Sequence, residues 1–76
     1  MHYVYLLKTS TVQEIYIGYT SNLERRFKEH RDKNPQIIYY EAYRNESDAR
    51  TRERKLKQRG QTIRRLKERL KYSLLT

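Results

Sequence analysis

The sequence predicts a small α+β domain with elements in the order ββαβαα. This is a three-stranded, mostly antiparallel sheet flanked by three helices, in a single domain over residues 1–76. Three observations predict it. Residues 2–7, 14–19 and 37–43 are short runs of Tyr, Val, Ile and Leu, the composition of strands. Apolar residues recur at helical spacing in three other stretches. The glycines and the proline fall between these runs rather than within them, apart from Gly18.

The first strand, HYVYLL, sends Tyr3, Tyr5 and Leu7 to one face and Val4 and Leu6 to the other. The polar segment 8–13 has the length of a hairpin connection, so the second strand should run antiparallel to the first. The first helix spans 21–31, with Ser21 and Glu24 in capping-box positions. Asn34-Pro35 ends it, because proline forces its predecessor to extended geometry. The third strand, IIYYEAY, is apolar on both faces and suits a central or half-covered position. Asn45 caps the second helix, with Asp48 placed to return the bond. Arg59-Gly60 closes that helix as a C-terminal glycine would. Ile63, Leu66, Leu70 and Leu74 form the stripe of the third helix.

A chain of 76 residues with no cysteine has a thin core and neither disulfides nor a thiolate metal site to support it. No N-terminal apolar run suggests a leader or a membrane span, so a cytoplasmic location is expected. The formal charge is +9 and is unevenly placed. Residues 1–43 hold six Lys/Arg against five Asp/Glu, and residues 44–76 hold twelve against four. A one-sided basic half is the footprint of a polyanion partner, nucleic acid before membrane. The plainer reading is a solvated surface that keeps a small protein soluble.

Two helices carry polar residues on the stripe that should face the core. In the first, Leu23, Arg26, Phe27 and His30 share a face. In the second, Glu53 lies in the stripe of Ala49 and Leu56. Each has an ordinary explanation. Arg26 can snorkel past the core edge, His30 can favour the helix C-terminus, Glu53 can pair with Arg26, and a strand tyrosine can be core with its hydroxyl at the rim. Together they suit a phosphodiester. A carboxylate can hold one hydrated Mg²⁺ or Mn²⁺, arginine can clamp phosphate oxygens, and histidine or tyrosine can take a proton from water. A phenol titrates near 10, and cationic neighbours favour its ionised form.

The strings YVYLL, YIGYTSNLERRFKEH, IIYYEAY and ESDARTRERKLK, in this order, resemble the GIY-YIG nuclease superfamily over nearly the whole chain. The likeness is to its small stand-alone bacterial members, related to the N-terminal domain of the excinuclease C subunit. The specific part is YIG-x-T-x-x-L-x-x-R-x-x-x-H, residues 16–30. The resemblance implies a catalytic set at Tyr5, Tyr16, Arg26, His30 and Glu53, with Glu53 holding one divalent metal ion. It implies hydrolysis of DNA phosphodiester bonds, and it makes Gly18 a place where substrate backbone comes close. Three features depart from the family pattern. Tyr3 stands where the family name has glycine, residues 31–36 are shorter and lack a basic Thr-containing loop, and no asparagine follows Glu53.

The resulting expectation is a metal-dependent endonuclease of low sequence specificity. Tyr5 or Tyr16 would be base or base-orienter, supported by His30. Arg50, Arg54, Lys55, Lys57, Arg59, Arg64, Arg65 and Lys67 would hold the nucleic-acid backbone, most naturally DNA. The competing expectation is a non-catalytic nucleic-acid binder in which Tyr39, Tyr40 or Tyr43 stack on bases. A third is a purely structural or protein-interaction module whose stripe residues form a salt-bridged core.

Overall fold

The computed structural model describes residues 1–8, 15–29, 36–58 and 60–75. His30, residues 31–35 and Arg59 lie outside them. Strands β1 (His2–Lys8), β2 (Ile15–Thr20) and β3 (Gln36–Tyr43) form one antiparallel sheet in the order β2-β1-β3. The α+β architecture is the expected one. Of the two positions open to β3, central or half-covered, the structure has the second: it is a partly covered edge strand, and β1 is the centre. Four consecutive residues of β1, Val4 to Leu7, are buried, and only a strand covered on both faces does that. The β1–β3 register slips between Leu6 and Leu7, where Tyr39 and Ile37 are their partners and Ile38 is passed over as a bulge.

The core lies on one face of the sheet. Val4 and Leu6 pack with Ala49, Leu56, Ile63 and Leu66 from α2 (Glu46–Lys57) and α3 (Gln61–Arg69). The other face carries Tyr3, Tyr5 and Leu7 and is crossed by α1 (Leu23–Glu29), which buries none of its own residues. The Leu23–Arg26–Phe27 stripe therefore does not enter the core. A core already closed by α2 and α3 leaves α1 to rest on a layer of tyrosines with Phe27 and Arg26 partly in solvent.

Local chemistry moves several boundaries. The cap of α1 is Asn22, not Ser21: Asn22 Oδ1 accepts the Arg25 N–H at 3.0 Å. Thr20 sets this up, since its Oγ1 accepts the Asn22 N–H and donates to the Asn22 carbonyl, both at 3.0 Å. Asn45 caps α2 as expected, but by accepting the Ser47 N–H at 2.8 Å, without a return bond from Asp48. Gly60 does not terminate α2. That helix ends at Lys57 with Gln58 as its cap, and Gly60 instead opens α3, its carbonyl accepting the Arg64 N–H. The expected third helix is two. Leu70 shares its N–H between the carbonyls of Leu66 and Lys67, a tightened turn, and the chain restarts as α4 (Lys71–Leu75). Lys8 Nζ reaches the Leu74 carbonyl at 3.4 Å and ties α4 to β1. Among the described residues no helix is long and apolar enough to cross a membrane.

Candidate active site

Residues paired directly across an antiparallel ladder share a face. Tyr5 is opposite Gly18 and Leu7 opposite Tyr16, so the two motif tyrosines and the motif glycine stand on the α1 side of the sheet. Tyr5 is 4% exposed. Its hydroxyl accepts a hydrogen bond from Arg26 Nε at 3.0 Å, which joins the first strand to the first helix. Gly18 makes this possible. A Cβ at position 18 would collide with the Tyr5 hydroxyl and its ring carbon Cζ. The room left by the missing side chain is thus taken by Tyr5, whereas the motif resemblance assigned it to substrate.

Arg26 also donates from Nη1 to Glu29 Oε2 at 2.8 Å. Its hydrogen bonds to Tyr5 and then Glu29 push its pKa further up, so the guanidinium stays charged. The side chain is 45% exposed, which corrects the inward placement. Its acidic partner is Glu29, one helical turn on, and not Glu53. Tyr16 stands on the edge strand and is 48% exposed.

Glu53 is reached from the other side. It sits between Ala49 and Leu56 on the stripe that α2 presents to the core, and its side chain is only 15% exposed. Lys57 Nζ lies 3.0 Å from Glu53 Oε2, and Arg50 Nη1 3.8 Å from Oε1. Arg50 also covers the Tyr19 ring, 3.8 Å above its centre. Lys57 lines a groove that Tyr16 shares, with Lys8, Arg64 and Lys67 completing its basic wall. The structure thus brings Tyr5, Gly18 and Arg26 into contact and sets Tyr16 on their face. Glu53 is paired instead with Arg50 and with Lys57, the residue that lines this groove beside Tyr16.

Among the described residues no three His, Asp or Glu side chains converge to cage a metal ion, and the chain has no cysteine. A single half-buried carboxylate fits a hard, hydrated cation that keeps water and shares phosphate oxygens. It does not fit a soft or fully protein-ligated metal. Of the basic residues predicted to bind, Arg54, Lys55, Arg64, Arg65 and Lys67 are exposed and have no carboxylate partner among the described residues.

Three features were missed. Glu29 was legible as an i,i+3 partner of Arg26. Lys8 was not, because the groove it lines forms only when α3 and α4 pack. Tyr39 and Tyr43, predicted as possible stacking platforms, face the core side and both donate to Glu41, with Tyr39 at 2.6 Å. Arg52 closes the cluster through Nε and Nη2 at 3.0–3.2 Å. Their alternate spacing around Glu41 was the signal.

Residues 1–67 match the family model described as the GIY-YIG catalytic domain. The chain belongs to the GIY-YIG nuclease family. It is 36% identical over 63 residues to a UPF0213 protein of Clostridium perfringens, covering 70% of this chain and 67% of that one. Against a UPF0213 protein of Haloquadratum walsbyi the identity is 35% over 66 residues, covering 74% and 73%. Against one of Oceanobacillus iheyensis it is 36% over 67 residues, covering 75% and 77%. No solved structure matches the chain. GIY-YIG membership carries the coarse chemistry of a nuclease superfamily that acts on nucleic acid and generally uses a divalent metal. Tyr5, the Tyr16–Gly18 motif, Arg26 and Glu53 all lie within the matched span.

Proposed function

We propose that this GIY-YIG domain is a divalent-metal-dependent endonuclease, using Mg²⁺ or Mn²⁺, that hydrolyses DNA phosphodiester bonds with low sequence specificity. The observation that carries the reading is the Arg26–Tyr5 hydrogen bond over Gly18. It fixes a permanent cation at the solvent edge of the tyrosine face, and orienting a guanidinium costs a small domain a buried phenol and a glycine.

The division of labour follows exposure. Tyr5 is buried and holds Arg26, so it is the orienting tyrosine. Tyr16 is accessible and is the base that takes the proton as water oxygen bonds to phosphorus and the ester P–O bond breaks. Arg26 neutralises the charge that builds on the non-bridging oxygens. His30, the last residue of the motif string, would support the base. Glu53 would hold the metal ion, which when bound supplies Lewis-acid stabilisation of the phosphate and the leaving oxygen. The exposed cations of α2 and α3 contact phosphates, which carry no sequence information.

The test is incubation of single- and double-stranded DNA with Mg²⁺ or Mn²⁺. The wild type should cut, Glu53→Ala should bind without cutting, and Arg26→Ala should cut about 10²–10³-fold more slowly. A folded Arg26→Ala variant cutting at the wild-type rate would dispose of that role. The second reading, a non-catalytic binder, is favoured by Lys57 and Arg50, which already neutralise Glu53. A wild type that binds with a steep salt dependence and never cuts decides for it.

A further inference from the structure

The α1 side of the sheet holds a second feature that the catalytic set leaves unused. Between α1 and β3 an open groove of about 850 Å³ is lined by Tyr3, Phe27 and Tyr40, together with Asn22, Gln36 and Ile37 and, at its α1 end, Glu24. Phe27 and Tyr40 are 40% and 54% exposed, so both rings are open to a ligand. Tyr3 and Tyr40 meet edge to face, centres 6.1 Å apart at 65°. The groove adjoins the Arg26–Tyr5 pair on two sides. Tyr40 is the direct cross-strand partner of Tyr5, and Phe27 follows Arg26 on the helix.

We infer that this groove seats one unpaired nucleobase, so that the strand is taken as single-stranded DNA. The inference rests on the nuclease reading for its orientation. A base among Tyr3, Phe27 and Tyr40 belongs to a nucleotide whose phosphate lies toward Arg26. Only an unstacked base offers a face to aromatic side chains, since in a duplex both faces are covered by neighbours. The volume is in the range of small-molecule sites. Asn22 and Gln36 line the groove and carry amides of the kind that meet base edges, with Asn22 Oδ1 already taken by the Arg25 N–H. An apolar peptide would use the same rings, but it would gain nothing from the guanidinium beside them.

The experiment measures binding in the Glu53→Ala background, where cleavage cannot interfere. The probes are a short single-stranded DNA and its duplex, followed by fluorescence anisotropy. Tyr40→Ala and Phe27→Ala should each weaken single-strand binding by roughly fivefold or more, the scale of one lost base–aromatic stack. Duplex binding should be unchanged, and Tyr40→Phe should retain the parent affinity for the single strand. Both alanine variants binding single strands like the parent would overturn the inference, as would equal losses on both probes. If the selective loss is seen but the wild type never cuts, the groove stands and the nuclease reading falls.

Discussion

A hydrogen atom in place of a methyl group at position 18 decides where the Tyr5 hydroxyl can sit, and through it where Arg26 is aimed. Gly18→Ala therefore tests the site through packing alone, since it removes no functional group. The added methyl must displace the Tyr5 ring end, and overpacking of this kind costs about 1–3 kcal/mol. The thermal midpoint should fall by about 4–8 °C for each kcal/mol lost in a domain of this size, and DNA cleavage should fall with it. In a Tyr5→Ala background the same change should cost almost nothing, because its collision partner is gone. Circular dichroism melts of the four proteins of this cycle measure that coupling, and additive losses would separate Gly18 from Tyr5. At this scale the sequence was legible in part. The motif string named Tyr5, Tyr16, Gly18 and Arg26. That Gly18 serves Tyr5 required the ladder register, which no single residue reveals.

Between β3 and α2 the decisive contact is a polar cluster. Burial pushes the Glu41 carboxyl upward, but the hydrogen bonds from Arg52, Tyr39 and Tyr43 outweigh it and hold it below the ordinary carboxylate range. Burial, and then the bond to Glu41, push the Tyr43 phenol up to about 12. The signs follow by linkage. Glu41 contributes stability above the unfolded carboxyl pKa, about 4.3, and that contribution is lost as pH falls through the lower folded value. Tyr43 contributes below about 10, and its share is lost as pH rises toward about 12. Glu41→Gln should thus be less stable at neutral pH by roughly 1–3 kcal/mol, the cost of a half-buried Arg52 losing its counter-charge and of one tyrosine hydroxyl facing an amide donor where it had an acceptor oxygen. Its acid-side stability loss should be shallower than the parent's in urea melts run from pH 7 to about pH 3. A parallel profile would remove Glu41 from the acid transition. Strands and helices themselves were legible, because alternation and the 3.6 period survive in so small a chain. Their ends were less so. The α1 cap moved from Ser21 to Asn22 because Thr20 turns the chain first. Gly60 opened a helix where its type suggested a stop.

For the whole molecule, the sheet divides labour between its faces. One carries the apolar core with α2 and α3, and the other carries the motif tyrosines, Gly18 and Arg26. The uneven charge in the sequence anticipated this only loosely. The excess in residues 44–76 sits on the helices behind the core, not beside Tyr5, and it meets the tyrosine face at the groove shared by Tyr16, Lys57, Arg64 and Lys67. A strand following these cations would arrive at Tyr16 from the α3 side and leave past Arg26 toward Tyr40. The two halves of such a path respond to salt differently. Five cations with no carboxylate partner among the described residues, engaging a single strand, give a slope of log K against log salt of about −3 to −4. Removing Arg64 and Lys67 together should flatten it by about 1–2, with affinity lost most at low salt. Tyr40→Ala should lower affinity by a similar factor at every salt concentration, because stacking releases no counterions. Titrations from low to high salt on the Glu53→Ala protein separate the two. A Tyr40→Ala slope as flat as that of the double variant would mean that the ring acts through the basic path and not through a base.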